Sequence, residues 1–250
     1  MSHPREPDLV PRPVPAGDAE LKTPTWGLGD VVAGWFLAQV AGLATSAAVI
    51  GLSGQSIDEM SLGWLAVGNI GLWVVFLLVP VVATTVKGNG PVVDLGLRIK
   101  AWDPPVGALI GAATQFILVP LIYVPILVLL DRSGEDLSAP ARDLTDRASN
   151  AFGVVVLILI VGIAAPIFEE IFYRGLMQRA LQRRYGPTVG VVVTAVVFGL
   201  SHFEPLQAPG LILFGLVVGY LALRTGRLGP SIAAHVAFNL VSVGFLLASG

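Results

Sequence analysis

Seven stretches of this chain contain no Lys, Arg, Asp or Glu. They cover residues 31–52, 64–86, 106–130, 151–168, 188–203, 209–223 and 229–248. A helix that crosses a bilayer needs about 20 apolar residues at 1.5 Å of rise each. The first three runs and the last meet that length directly. The fourth meets it if its helix continues past Phe168 into the polar segment that follows. The fifth and sixth are short, which suits tilted, broken or re-entrant helices. In hydrocarbon every backbone N–H and C=O must be paired within the segment, so apolar runs of this length read as helices. The expected fold class is all-α, a polytopic transmembrane bundle of about seven spans.

Composition supports lipid as the solvent. Charged residues make up 13% of the chain, about half the roughly 25% of soluble domains. A net charge of −2 supplies no basic field for nucleic acid. The absence of cysteine excludes disulfides, thiolate metal sites and a thiol nucleophile. Residues 1–27, with six prolines, read as a disordered cytosolic tail. They lack the short apolar core of a signal peptide. Residues 28–250 form one membrane domain. Twelve of the fifteen Lys and Arg fall on alternate segments, which places the N-terminus in the cytosol and the C-terminus outside. With polar loops and no targeting sequence, a bacterial plasma membrane is the expected location. Residues 131–150 are expected to form an acidic external loop. Of Trp26, Trp35, Trp64, Trp73 and Trp102, several lie where anchors at the membrane interfaces are expected.

The chemistry lies in the residues that do not suit lipid. Of the three histidines, His3 lies in the tail, whereas His202 and His235 lie within apolar runs. Glu169 and Glu170 interrupt another. Ionisable groups in a membrane are costly and face partners or a cavity. Glu170 and Arg174 are four apart and can pair on one helix face. His235 and Asn239 share a face at the same spacing, as do Phe198 and His202. Tyr185-Gly186-Pro187 reads as a turn between antiparallel helices. Glu169 precedes Gly186 by 17 residues and His202 follows it by 16, so both stand about 25 Å from the hairpin tip. His235 lies only about 9 Å along its helix from Gly229. The three heights agree if the tip projects roughly 15 Å out of the membrane. A carboxylate beside a histidine can deprotonate water for attack on a carbonyl, and two donors on another helix can hold the oxyanion. These parts suit hydrolysis of a peptide bond.

Three motifs carry a resemblance. Residues 169–174 read EExxxR, residues 198–202 read FxxxH and residues 235–239 read HxxxN. In this order on successive helices they resemble the CPBP family of intramembrane glutamic endopeptidases, the CAAX-protease and bacteriocin-processing (Abi) family. The resemblance covers residues 151–247, and the segment from Asp94 to Arg98 resembles one common in bacterial members. It implies an endopeptidase with Glu169 as general base, assisted by His202. His235 and Asn239 would form the oxyanion hole, with Glu170, Arg174 and Phe198 in support. The family core has eight helices, against the seven counted here. The resemblance favours a site without a cofactor. The mechanistic rival is zinc on Glu169, His202 and His235. Implied partners are membrane lipid and a membrane-associated peptide or protein, lipidated or not.

Two other patterns are weaker. Residues 51–54 read GxSG, but Ser53 falls at the outer end of the first span. Residues 27–30 read GxGD, but no apolar run holds a second aspartate, and Asp30 reads as a helix cap. The alternative function is a non-catalytic scaffold or small transporter, with the same polar groups forming a packing network.

Overall fold

The computed structural model describes residues 21–249. All secondary structure among them is helical. The longer helices are α1 (Leu28–Ser53), α2 (Leu62–Lys87), α3 (Asp103–Leu130), α4 (Gly134–Asp146), α5 (Ala151–Tyr185), α6 (Pro187–Leu200), α7 (Ala208–Thr225) and α8 (Gly229–Ser249). All but α4 and α6 are long and apolar enough to cross a membrane, and α6 is a shorter apolar helix. The all-α polytopic reading therefore holds, with a count near seven. The fourth apolar run does continue into the polar segment, since α5 is 35 residues long, or about 52 Å.

The acidic segment 131–150 departs from the loop expected there, because α4 occupies most of it. Ser133 and Asp136 start this helix with a capping box. The Asp136 amide donates to Ser133 Oγ at 3.2 Å, and the Ser133 amide donates to Asp136 Oδ2 at 2.8 Å. Two otherwise unpaired donors are thereby satisfied. At the other turn, Gly186 adopts φ +89° and Pro187 opens α6. This left-handed residue ends α5 where a side chain would be strained.

Small residues bring the helices together. Lipid offers no hydrophobic drive for helix association, so close backbone packing has to supply it. On α3, Gly107 and Gly111 form a GxxxG stripe against α8. A Cβ on Gly107 would meet Ala233 Cβ at 2.7 Å, and one on Gly111 would meet the Ala234 carbonyl carbon at 2.8 Å. Gly71 packs in the same way on the Ala41 backbone across α1 and α2, where Thr45 Oγ1 donates to the Gly68 carbonyl. Gly215 of α7 lies on Ala195 of α6. Large apolar side chains such as Leu43, Val128 and Leu129 remain exposed on the outside, as a lipid-facing surface requires.

Two helices are locally widened to π geometry. In α3 this occurs at Thr114–Leu118, and in α5 at Ile158–Ala164 and Ile171–Met177. Such widened turns recur at functional sites.

The loops fix where α8 begins. Gly96 and Arg98 accept from the Leu228 and Gly229 amides at 2.8 and 3.2 Å, and Leu95 is fully buried. Asp103 takes three hydrogen bonds from Arg227, at 2.8 and 3.1 Å from Nε and 2.6 Å from Nη2. Those bonds hold the Arg227 guanidinium above its ordinary value. Asp30 is not the N-cap residue of α1, a place held by Gly27; it stands in the first turn and reaches back to accept from the Gly27 amide at 3.0 Å, and it also pairs with Lys87.

The tail's first twenty residues, His3 among them, lie outside the described residues. Its last residues are held: the Lys22 amide donates to Asn89 Oδ1 and the Thr25 amide to the Lys87 carbonyl. Trp26 is not an interfacial anchor, since it is 2% exposed. Its Nε1 donates to Asp94 Oδ2 at 2.8 Å, and the Arg183 guanidinium lies 3.5 Å over its ring. Asp94 and Arg183 are distant in sequence, and together they enclose a ring that proximity to a span end had suggested was at the interface.

Gly111→Leu is expected to destabilise the fold by about 3 kcal/mol, because the side chain would enter backbone rather than a flexible neighbour. The thermal midpoint in detergent checks this, with Gly244→Leu, at an open position, as the control.

Candidate active site

Glu169 and Glu170 are neighbours on α5, so their side chains leave the helix about 100° apart. Glu170 points inward and is fully buried. Its Oε1 accepts from Arg174 Nη1 at 2.8 Å and from His235 Nδ1 at 2.9 Å. Arg174, one turn further along, is also fully buried. Glu169 lies on the more open side, with its side chain 18% exposed, and its Oε2 is 3.8 Å from His235 Nε2. The imidazole of α8 thus faces both carboxylates of α5. A carboxylate paired with an arginine only accepts, so Nδ1 of His235 carries a proton.

The heights on the hairpin explain how a residue near the start of α8 meets the middle of α5. Arg179 Nη2 donates to the Gly226 carbonyl at 2.8 Å. The seven residues from Arg179 to Gly186 therefore carry α5 about 10 Å beyond the end of α7.

Phe198 and His202 also meet. The Phe198 ring is fully buried, and its centroid is 4.8 Å from that of His202 and 5.6 Å from that of His235. The Arg174 guanidinium stacks on the same ring at 4.4 Å. His202 lies just past the end of α6, in a turn rather than within the helix. Its Nδ1 is 2.8 Å from the Phe198 carbonyl, which fixes the ring and leaves Nε2 for other work. Asn239 lies one turn beyond His235, and its amide nitrogen donates to the Val161 carbonyl at 2.8 Å. Val161 belongs to the first widened segment of α5. One of the two amide protons of Asn239 is left for another acceptor.

Two further polar residues join the cluster. Tyr173 is 2% exposed, and its hydroxyl is 2.8 Å from Ser201 Oγ. Ser201 in turn donates to the Phe198 carbonyl at 2.9 Å, beside His202. Both stand within or next to the motifs, but hydroxyls amid apolar residues carry no charge to mark them. Ser53 ends α1 with its hydroxyl near the Ile50 carbonyl and joins no cluster with the histidines. Among the described residues, no three His, Asp or Glu side chains group as ligands of one metal ion.

Comparison with known proteins finds a family match over the segment that carries the three motifs. Residues 151–241 match the family model described as type II CAAX prenyl endopeptidase Rce1-like, so the resemblance seen in the three motifs holds over that segment. An Escherichia coli protein named "Uncharacterized 24.3 kDa protein" is 26% identical over 57% of this chain and 68% of its own length. A Bacillus subtilis protein named "Putative membrane peptidase YdiL" is 28% identical over 34% of this chain and 35% of its own length. The chain thus spans about a third of that second relative. No solved structure matches.

Removing one partner of a buried ion pair strands the other charge. Arg174→Ala is expected to cost about 3–5 kcal/mol, and the double variant Glu170→Gln with Arg174→Met to recover most of it. Thermal midpoints of the single and double variants in detergent test both statements.

Proposed function

From the Rce1-like segment 151–241, we propose that the protein is an intramembrane endopeptidase. It hydrolyses a peptide bond in a membrane-associated peptide or protein. The observation that carries this reading is the meeting of Glu169, Glu170 and His235 across α5 and α8, with His202 beside Phe198. Glu169 is the general base. It is the more accessible of the two carboxylates and is free of the arginine. It takes a proton from water, assisted by His202 Nε2, and the hydroxide adds to the amide carbonyl. The oxyanion is held by His235 Nε2–H and the remaining amide proton of Asn239. With both ring nitrogens of His235 donating, the resting cluster balances two carboxylates against Arg174 and an imidazolium, and once Glu169 has taken the water's proton the oxyanion replaces its charge. Collapse of the intermediate breaks the C–N bond, and Glu169 returns its proton to the leaving amine. Glu170 and Arg174 hold His235 in place from the buried side.

This reading needs no metal, because the groups that activate water and hold the oxyanion are side chains. The substrate is a peptide reaching the membrane, and a prenyl group on it is one form such a peptide takes. The proposed location is a bacterial plasma membrane, with the basic loops and the N-terminus in the cytosol and the C-terminus outside. The second reading, a scaffold or small transporter, draws on the same contacts. Glu170–His235 and Asn239–Val161 each tie α5 to α8, so they could serve packing alone.

Cleavage of a membrane-anchored reporter peptide by protein in liposomes separates the two. Glu169→Gln is expected to lower turnover by about 10²–10⁴-fold with the thermal midpoint unchanged. Undiminished cleavage by that variant overturns the proposed base. A strong chelator is expected to leave wild-type turnover intact, and loss with chelator would move the mechanism to a metal.

A further inference from the structure

A line of polar side chains continues down α5 from the site toward the basic hairpin tip. Glu170, Arg174, Gln178 and Gln182 recur every four residues and so share one face. Glu170, Arg174 and Gln178 are each at most 1% exposed. Gln178 Nε2 donates to the Gly219 carbonyl at 2.9 Å. Yet Glu170 Oε2, Arg174 Nε, Gln178 Oε1 and Gln182 Nε2 are all buried with no hydrogen-bond partner among the described residues. Four such atoms on one helix face are unusual, since buried polar groups are nearly always satisfied. A cavity of about 40 Å³ lies along this line. Its walls include Arg174, Gln178, Arg179, Gln182, Ala222 and Gly226. Arg179 and Gly226 are half-buried, whereas Gln178 and Ala222 are buried. The cavity thus leads from the partly open end of α7 to the guanidinium of the site.

We propose that this cavity is a binding site for a short column of water that hydrates Arg174 from the basic end of α5. A bound water needs about 10–15 Å³ on this measure and two to four polar partners, so the cavity holds roughly three. Gln182 Nε2, Gln178 Oε1 and Arg174 Nε supply donor, acceptor and donor in sequence, which suits a chain of water molecules. A charge within a bilayer persists where water or a counter-charge reaches it. Glu170 serves Arg174 on one side and the column serves Nε. The column therefore satisfies Nε of Arg174 while Nη1 holds Glu170, which in turn holds His235. The binding of water does not depend on the proposed proteolysis; only its usefulness to His235 rests on that reading.

The test is water-edited solid-state NMR on ¹⁵N-labelled protein in liposomes, with water itself as the probe. The Gln178 side-chain amide, identified by its loss in Gln178→Met, is expected to receive magnetisation from water several-fold faster than the backbone amide of Phe76, which is buried among aromatic rings. Ala222→Met fills the cavity and should remove that advantage, while Ala222→Ser should keep it. Equal build-up at Gln178 and Phe76 in the wild type overturns the proposal, and so does an advantage that survives Ala222→Met. If Ala222→Met does not fold, the wild-type comparison decides alone. No arm reads proteolysis, so a dry cavity and an inactive protein are separate outcomes.

Discussion

One carboxylate oxygen holds the centre of this protein together. Glu170 Oε1 receives both the Arg174 guanidinium and the His235 ring, where none of the three side chains is more than a few per cent exposed. In such surroundings the attraction between full charges is strong, and the cost of stranding either one is high. α5 and α8 cannot slide or turn against each other without breaking that contact. The more accessible Glu169 and the far nitrogen of His235 are placed by the same constraint.

Packing elsewhere delivers the helices to this point. Glycines let α3 reach the backbone of α8 and let α7 reach α6. The Asp103–Arg227 pair and the carbonyls of Gly96 and Arg98 set where α8 starts. Because the outer surface is apolar, the membrane contributes little to specifying which helices touch. That choice falls to small residues and to a few polar contacts.

The spans were legible because charge is excluded from lipid, so a run without Lys, Arg, Asp or Glu is a direct record of the solvent. By the same logic Glu169, Glu170, His202 and His235 stood out. Glu170–Arg174 and Phe198–His202 followed from helical spacing, and the meeting of α5 with α8 followed from comparing heights. Features that leave no mark in hydropathy were not legible. α4 is a polar helix that no charge-free run marks, and its local cues are the Ser133–Asp136 box and the helical spacing of Leu137, Ala141 and Leu144. Trp26 owes its burial to Asp94 and Arg183, partners that no local pattern announces. Asn239 donates to a backbone carbonyl, and every residue offers one of those. The widened turns of α5 change the hydrogen-bonding register without changing composition.

Those widened turns also act as a rotational setting. Each residue advances a helix by about 100°, which is the angle that separates Glu169 from Glu170. The segment Ile158–Ala164 lies upstream of both, so its extra backbone determines which of the two carboxylates is turned into the bundle and which toward the open side. Shortening it by one residue would swing the whole downstream half of α5 by that same angle, moving Glu170 into the accessible place of Glu169 and Ile171 into the buried one. The division of labour between two adjacent and chemically identical residues is thus written in the pitch of the backbone that precedes them.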